Sequence, residues 1–326
     1  DKGIVTLFAH WTANTGTKFA IEYFLQDISE NGKGLLETYK LIETEERKGI
    51  TASSVDAKLV SKYFKDGAFV ESLLPGYAYA GNKTENETGT ISPDGNTVLE
   101  IYLTRKSYTV KLTAGTGIAS VSGAGTYYSG AKVQLDATMK DGYSWKNWTG
   151  SETVEQKDAI ITISSASVSL TANAIANQYK VTLDATTNGG SCGVTSVTVT
   201  YDAEYPAIPD ATRTGHKFLG WFTTASGEGD LIKETSIVKT AEDHTLYARF
   251  EVLPYKLTLS VSDEAAGLAK TSGDYNYNTE VTITATANKG YHFVRWTNEK
   301  GDEISKLAEY TFNMPATALT YIAVFA

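Results

Sequence analysis

The motif Gly215-His-Lys-Phe-Leu-Gly-Trp221 is the main indication of the fold, because the same spacing of residue types occurs three times in the chain. The other two copies read Gly142-Tyr-Ser-Trp-Lys-Asn-Trp148 and Gly290-Tyr-His-Phe-Val-Arg-Trp296. Each copy has glycine first, an aromatic residue or His second, an aromatic residue fourth and Trp seventh. A frame that recurs at regular intervals indicates a chain built from repeated modules.

The sequence around each copy repeats as well. An opening strand precedes each motif, with an aromatic residue and two aliphatic residues on one face of a two-residue period; these strands cover residues 108–112, 179–183 and 255–259. A second strand alternates at Val133/Leu135, Val197/Val199 and Val281/Ile283. A closing strand directs a large residue, Ala and then usually an aromatic residue toward the core, at Leu170/Ala172/Ala174, Leu246/Ala248/Phe250 and Tyr321/Ala323/Phe325.

The Trp at the seventh position is the largest apolar side chain of each module, so we expect Trp148, Trp221 and Trp296 to form the structural core. Phe218 and Trp221 are three residues apart and would face opposite sides of a regular strand. The sequence therefore predicts either a β-bulge near Leu219-Gly220 or a strand that is buried on both faces.

The start of the chain has the pattern of a closing strand. Val5-Thr-Leu-Phe-Ala-His-Trp11 aligns with His244-Thr-Leu-Tyr-Ala-Arg-Phe250. We therefore expect residues 1–12 to be the tail of a preceding copy, and the chain to belong to a longer protein.

Residues 13–107 have a different organisation. Phe19, Ile21, Tyr23 and Leu25 alternate as a strand, and a turn at residues 31–34 leads into a hairpin partner over residues 36–43. A capping box at Ser53 and Asp56 predicts an amphipathic helix over residues 55–64. Residues 76–90 are polar and predict a loop, and a closing strand follows over residues 98–104. This order of hairpin, helix, loop and strand is typical of a β-grasp-like fold.

The chain resembles known bacterial modules along most of its length. Residues 179–250 resemble the internalin-type B-repeat, the Listeria/Bacteroides repeat, through Tyr179-Lys-Val-Thr-Leu183, Asn188-Gly-Gly190, Pro206, Pro209, Arg213 to Trp221 and Thr245-Leu-Tyr-Ala-Arg-Phe250. Residues 108–174 and 255–326 lack the Asn-Gly-Gly turn and both prolines, and resemble the divergent form of that repeat. Residues 19–26 and 89–102 resemble a mucin-binding-protein-like module.

These resemblances imply a mainly β chain with short helices (α+β), arranged as tandem β-grasp-like modules in an elongated array. The expected boundaries are 1–12 for the preceding tail, 13–107 for the mucin-binding-protein-like module, 108–177 for a divergent B-repeat, 178–253 for a B-repeat and 254–326 for a second divergent B-repeat. They also imply an extracellular location, on the bacterial cell surface or in the cell wall, with the anchor outside this fragment. No catalytic activity is attached to the repeat.

Net charge and cysteine content limit the classes of molecule that this chain is expected to bind. The net charge is -9 over 326 residues, so phosphate backbones and anionic lipid surfaces are not attracted, and we expect neither nucleic-acid binding nor membrane insertion. The single cysteine, Cys192, excludes an intramolecular disulfide framework. We expect a monomer without cofactors.

Aromatic residues in polar segments are candidates for ligand binding, because sugars stack on aromatic rings. We single out Tyr275 and Tyr277 in the turn Ser272-Gly-Asp-Tyr-Asn-Tyr-Asn278, together with Tyr127 and Tyr128. The alternative is that these rings pack in the core of the repeat or cover its edges.

Other patterns indicate structure and not chemistry. Asp27, Ser29, Asn31 and Gly32 imitate half of a calcium loop, but Thr38 stands where a bidentate Glu is required, so a hairpin turn is favoured. The four histidines have no metal-ligand spacing. The acidic run at residues 43–46 offers one half of a glycosidase carboxylate pair, but a charged strand end explains it better. The sequence contains no motif of a nucleophile elbow, phosphate loop or zinc protease.

Three functions are compatible with these observations. The first is a non-catalytic stalk of a bacterial surface protein or adhesin, with a surface for a host protein. The second is a glycan- or mucin-binding module, and the third is an accessory region of a secreted enzyme. A tandem array of four modules predicts a radius of gyration above about 30 Å, against about 20 Å for one globule of this length.

Overall fold

The computed structural model describes residues 5–226 and 228–326. The chain divides into two compact units, the first ending at Ile175 and the second starting at Ala176. The prediction of a mainly β protein built from tandem modules is confirmed.

The first module of the first unit is organised around one four-stranded sheet. Its elements are β1 (Thr17–Ile28), β2 (Leu35–Gly49), β3 (Ser54–Asp56), α1 (Ala57–Val60), β4 (Phe64–Lys65), β5 (Ala68–Phe69), a 3-10 helix (Glu71–Leu73), β6 (Tyr77–Tyr79), β7 (Thr88–Thr90) and β8 (Thr97–Arg105). The sheet order is β2-β1-β8-β6, in which β1 and β8 are parallel and the other pairs are antiparallel. The two-residue period directs Ile21, Tyr23 and Leu25 from β1 and Ile101 and Leu103 from β8 into one core.

The predicted helix over residues 55–64 is wrong in extent. Only α1 is helical, although Asp56 does cap it by accepting a 2.8 Å hydrogen bond from the Lys58 amide. The chain then becomes extended at Ser61, and Phe64 pairs with Phe69 across a tight turn. An Asp-Gly pair at residues 66–67 supplies the two positive φ angles of that turn, and such a pair is a strong hairpin signal.

Residues 5–12 lie in no strand, and their large apolar side chains are exposed, Trp11 by 89%. A closing strand in the later modules lies between two partner strands, and no strand pairs with residues 5–12 in the part of the chain that the structure describes. Residues 1–4 lie outside the described residues. The interpretation of residues 1–12 as the tail of a preceding copy stays a prediction.

The second module completes the first unit. Its strands are β9 (Ser107–Ala114), β10 (Ile118–Ser122), β11 (Gly125–Tyr128), β12 (Lys132–Gln134), β13 (Asp136–Met139), β14 (Tyr143–Gly150), β15 (Ile160–Thr162) and β16 (Val168–Ala176). The main sheet has the order β11-β9-β16-β14, and two small pairs, β10-β13 and β12-β15, cover the core.

The second unit contains the third and fourth modules. The third has β17 (Gln178–Asp184), β18 (Ser196–Thr200), β19 (His216–Phe222), β20 (Leu231–Ile232) and β21 (His244–Val252), in the order β18-β17-β21-β19-β20. The fourth has β22 (Pro254–Val261), β23 (Gly267–Lys270), β24 (Gly273–Asn276), β25 (Glu280–Ala287), β26 (Phe293–Thr297), β27 (Glu303–Ser305), β28 (Glu309–Asn313) and β29 (Leu319–Phe325). Its sheets have the orders β24-β22-β29-β26-β27 and β23-β25-β28.

One topology recurs in the three later modules. The opening strand pairs in parallel with the closing strand, and the strand that carries the Gly-to-Trp motif lies on the far side of the closing strand. The closing strands direct their predicted residues inward, with Ala172, Ala248 and Ala323 fully buried. The first module has the same parallel centre, so all four share this arrangement.

The predicted bulge is present. The register of β19 against β21 shifts between Phe218 and Gly220. Because one residue is left out of the pairing, Phe218 and Trp221 both face the core, with their ring centroids 5.8 Å apart. The fourth module has a register shift at the same place, between Phe293 and Arg295.

Candidate functional site

The three motif Trp residues lie inside their modules. Trp148 and Trp296 have no exposed surface, and Trp221 is 3% exposed. The indole nitrogens of Trp148 and Trp221 donate to the carbonyls of Lys157 and Pro209, at 3.1 and 3.0 Å. A cleft of about 230 Å³ adjoins Trp221, but a buried ring offers no face on which a sugar can stack.

Tyr127 and Tyr275 are equivalent residues with internal roles. Tyr127 pairs with Tyr108, and Tyr275 pairs with Tyr255, at the same place in their modules. Each hydroxyl donates to the carbonyl four residues earlier, that of Gly123 at 3.0 Å and that of Thr271 at 2.8 Å. Tyr127 is 6% exposed and Tyr275 packs against the core of the fourth module. Both rings are thus part of the packing of their own modules.

Tyr277 lies at the junction between the third and fourth modules. A Cβ added to Gly215 would overlap the Tyr277 ring, so the ring lies directly on that glycine. The His216 ring meets Tyr277 edge-on, with centroids 6.0 Å apart. The glycine of the motif therefore has a role that its sequence context did not reveal, which is to receive a side chain of the next module.

Two backbone hydrogen bonds complete this junction. The Leu253 amide donates to the Gly215 carbonyl at 2.9 Å, and the Tyr277 amide donates to the Leu253 carbonyl at 3.0 Å. Leu253 is the linker residue, so it is bonded to the module before it and to the module after it. Gly215 has a φ of +72°, which favours glycine because a Cβ is sterically disfavoured in that conformation.

The first unit has the same backbone arrangement. The amide of the linker residue Lys106 donates to the Gly76 carbonyl at 2.9 Å, and the Ser129 amide donates to the Lys106 carbonyl at 2.8 Å. Gly76 also has a positive φ, +90°, and a Cβ there would come within 2.6 Å of the Ser129 hydroxyl and the Ser164 carbonyl. The strand registers confirm that Gly76 is equivalent to Gly215. Tyr77, the residue after Gly76, pairs with Arg105, and His216, the residue after Gly215, pairs with Val252; Arg105 and Val252 each directly precede the linker residue.

Sequence reasoning missed Gly76, because residues 76–90 read as a polar loop. They contain β6 and β7, so that prediction is wrong. The signal was available in Gly76-Tyr-Ala-Tyr79, which matches the first four positions of the repeated motif and lacks only the Trp.

Side chains of the first junction are mainly polar. The Arg105 guanidinium donates to the Gln26 carbonyl at 2.8 Å and to the Ser129 carbonyl at 2.7 Å. The Lys33 ammonium lies 4.9 Å from the centroid of the Tyr127 ring. Tyr128 contributes its amide, which donates to the Gly32 carbonyl at 2.9 Å. The predicted hairpin turn at residues 31–34 is therefore correct and also contacts the second module.

The acidic run on β2 is engaged in pairs that do not resemble a glycosidase site. Glu43 accepts hydrogen bonds from the Lys62 ammonium and the Tyr63 hydroxyl, which lower the pKa of its carboxyl. Glu45 accepts from Tyr23 and pairs with Arg47. A general acid requires a raised carboxyl pKa, and the pKa of Glu43 moves in the opposite direction.

Lys58 and Glu87 form the most buried ion pair among the described residues of the first module, at 3.0 Å, with the Glu87 side chain 3% exposed. The Tyr79 hydroxyl also donates to Glu87. Hydrogen bonding to Glu87 raises the pKa of Lys58, which favours the protonated amine and hence the ion pair.

A second aromatic group lies on the outer face of the first sheet, and sequence reasoning did not find it. Phe24 and Tyr102 stack with centroids 5.2 Å apart, and Tyr39 meets Tyr102 edge-on at 5.1 Å. The Lys83 ammonium lies 5.0 Å from the Tyr39 centroid, and Leu41, which pairs with Phe24, is 43% exposed. We call Phe24, Tyr39 and Tyr102 the outer aromatic cluster. Burial and a hydrogen bond to Glu100 raise the pKa of Tyr102 to about 12.

Among residues 5–226 and 228–326, no group of three or more His, Cys, Asp or Glu residues is placed to hold a metal ion. Within the same residues no helix has the length and apolar character needed to cross a membrane. His244 bonds to Tyr205 at 2.9 Å, and Cys192 packs against the core of the third module.

Comparison with known proteins identifies the modules. The model of the divergent InlB B-repeat domain matches residues 108–177 and 257–326, and the model of the Listeria-Bacteroides repeat domain matches residues 179–249. The chain thus contains repeat domains of the Listeria-Bacteroides and divergent InlB B-repeat types. The resemblance of the preceding module to a mucin-binding-protein-like domain, and all of the expected boundaries, stay predictions.

Two relatives come from Evansella cellulosilytica. One, named "Putative membrane protein", is 28% identical over 228 residues, which is 67% of this chain and 33% of that protein. The other, named "Putative Gly-rich membrane protein", is 30% identical over 97 residues, 27% of this chain and 11% of that protein. The chain therefore spans a third or less of the length of these relatives.

Among solved structures, the Bacillus anthracis TIE protein aligns over 96% of this chain and 51% of its own, with 9% identity and a TM-score of 0.27. A TM-score of this size does not bear on the fold.

Proposed function

We propose that this chain is a non-catalytic spacer region of an extracellular bacterial surface protein, with the role of a stalk in an adhesin. The observation that carries the proposal is the backbone bonding of the linkers. Lys106 and Leu253 each bond to the module before and to the module after. A linker bonded on both sides restricts the swing of its two modules, as a spacer requires.

The use of aromatic residues supports the same function. The motif Trp residues fill cores, Tyr127 and Tyr275 support their own modules, and Tyr277 lies between two modules. Side chains expected to bind glycans are thus employed in folding and joining. The matches to repeat domains fit a non-catalytic repeat region, and the acidic composition suits an exposed, monomeric segment.

Small-angle scattering of the full chain tests the spacer proposal. We expect a monomer with a radius of gyration above about 30 Å. A value near that of a single globule, about 20 Å, would overturn the stalk.

A second candidate function, glycan or mucin binding, is favoured by the outer aromatic cluster. Phe24, Tyr39 and Tyr102 present stacked and edge-on rings on a sheet face beside the exposed side chain of Leu41. Aromatic faces with a nearby cation and carboxylate, here Lys83 and Glu100, suit the apolar face and hydroxyls of a sugar.

A glycan array with immobilised mucin tests this second function. If the cluster binds, Tyr39→Ala combined with Tyr102→Ala should reduce the signal at least tenfold, which corresponds to about 1.4 kcal/mol. Tyr291→Ala, at a tyrosine of the fourth module that is 42% exposed, is the matched control. Equal loss in both variants, or no binding by the unaltered chain, would remove the glycan function and leave the spacer.

A further inference from the structure

The first position of the motif in the fourth module has the geometry of a junction glycine but carries no neighbour. Gly290 corresponds to Gly215 by register, because Phe218 pairs with Phe250 and Phe293 pairs with Phe325. Its φ is +96°. A Cβ added to Gly290 would meet no atom within 4 Å, whereas one added to Gly215 would overlap Tyr277.

The surroundings of Gly290 match those of Gly215 as well. Tyr291 holds the place of His216, the ring that meets Tyr277 edge-on, and it is 42% exposed. The strand pairing that precedes the linker is formed, since His292 and Ala326 exchange two backbone hydrogen bonds of 2.9 and 3.1 Å. We call the surface of Gly290, Tyr291 and Ala326 the open socket.

We infer that the open socket is a docking site for a further B-repeat module, joined in tandem, that presents an aromatic residue directly after the strand that pairs antiparallel with its opening strand. The occupant follows from the equivalent surface of the third module, where Tyr277 stands directly after β24 and lies on Gly215. The aromatic ring excludes water from the glycine, and the bare Cα lets the ring approach closely.

Side chains at the homologous position determine which modules fit. The residue after the strand that pairs antiparallel with the opening strand is Ser129 in the second module, Tyr201 in the third and Tyr277 in the fourth. Each donates its amide to a linker carbonyl, that of Lys106, Asn177 or Leu253. Tyr291 supplies an aromatic wall, as His216 does, whereas the first junction places Arg105 over Tyr77. The open socket therefore selects a module of the tyrosine type. This inference depends on junction geometry and not on the proposed spacer role.

The test extends the full chain by one module whose contacts are known. Phe325 corresponds to Phe250, so Ala326 corresponds to Glu251, and residues 252–326 are appended directly after Ala326. The Tyr277 of the appended copy should then lie on Gly290. Hydrogen exchange of residues 289–293 should slow by about tenfold or more relative to the 326-residue chain.

Two matched variants make the result specific. Gly290→Ala should destabilise the extended chain more than the 326-residue chain. Gly301→Ala, at another glycine with positive φ, +85°, and no atom within 4 Å of an added Cβ, should cost the same in both. Tyr277→Ala in the appended copy alone should remove the protection at residues 289–293.

Three outcomes would overturn the inference. One is an appended copy that is folded, as shown by slow exchange around its own Trp296, but that leaves exchange at residues 289–293 unchanged. Another is equal effects of Gly290→Ala in the two chains. The third is self-association of the 326-residue chain that Gly290→Ala abolishes, since this would mean that the socket joins separate molecules.

Discussion

The junction between the first two modules and the junction between the last two share their backbone bonds and differ in their side chains. In both, the amide of the linker residue donates to a glycine carbonyl of the module before it. The linker carbonyl accepts from an amide of the module after it, that of Ser129 or Tyr277. On this common frame the first unit places Ser129 and Arg105, and the second places Tyr277 and His216.

Both connections use the same main-chain bonds, although the side chains around them differ. Every residue offers a main-chain acceptor and every residue except proline offers a main-chain donor, so modules of different sequence can be joined in this way. The side chains are then free to differ, one junction relying on charge-assisted hydrogen bonds and the other on aromatic packing.

Among the variants that separate the two junctions, removal of the Trp221 ring should cause the largest loss of stability. We expect Trp221→Ala to destabilise the third module by about 3–5 kcal/mol, because the buried ring leaves a cavity. Tyr277 would lose the surface on which it lies. Hydrogen exchange of the full chain should show lost protection in residues 178–253 and at the Tyr277 amide, while the Ser129 amide keeps its protection. A loss below about 1 kcal/mol would mean that Trp221 does not support the module.

Substitution of the motif glycines of the second unit, Gly215 and Gly290, should cause the next largest loss of stability. Gly215→Ala and Gly290→Ala share the cost of placing a Cβ at positive φ, about 1–2 kcal/mol. Gly215→Ala should cost about 1–3 kcal/mol more, because the new Cβ overlaps the Tyr277 ring and forces the modules to shift. Denaturant unfolding of the two full-length variants gives both values. Equal losses would contradict the role of Gly215 in joining modules.

In the first junction, Arg105→Ala should cost about 1.5–3 kcal/mol, because two carbonyls lose a charged donor. Arg105→Lys should recover only part of this, since an ammonium does not reproduce the fork that reaches both carbonyls. Hydrogen exchange at the Ser129 amide reports the junction. Unchanged exchange there in Arg105→Ala would show that the backbone bonds alone hold the two modules.

The smallest expected change is in the pH dependence of stability, and it concerns Glu43, which lies outside both junctions. The pKa of Glu43 is lowered by its hydrogen bonds from Lys62 and Tyr63. The carboxylate therefore stabilises the first module above its unfolded-state pKa of about 4.3, and this contribution is lost as the pH falls through the lower folded-state pKa. The group is partly exposed, so Glu43→Gln should cost less than about 1 kcal/mol at pH 7, and the difference should vanish in acid. Unfolding curves at pH 7 and pH 3 measure it. A difference between the two proteins that does not decrease at all from pH 7 to pH 3 would exclude the carboxylate as its cause.

Much of the fold was predictable because its determinants are local in sequence. The alternation of Phe19, Ile21, Tyr23 and Leu25 predicted β1, and the spacing of Phe218 and Trp221 predicted the bulge, since a period of two residues links side-chain spacing directly to strand geometry. The helix failed for the opposite reason. Helical spacing over residues 55–64 competed with the turn at Asp66-Gly67, and the turn prevailed because it pairs Phe64 with Phe69.

The repeat, the strands and the Trp at the centre of each repeated core all follow from local patterns in the amino-acid order. The roles of Gly76, Gly215 and Tyr277 arise from contacts between folded modules. Tyr277 lies in a polar turn with no local feature that distinguishes a ligand site from a junction. Its partner, Gly215, is distant in sequence and comes close only when two modules are folded and joined. Packing between modules depends on such distant pairs, and no periodicity within either module records them.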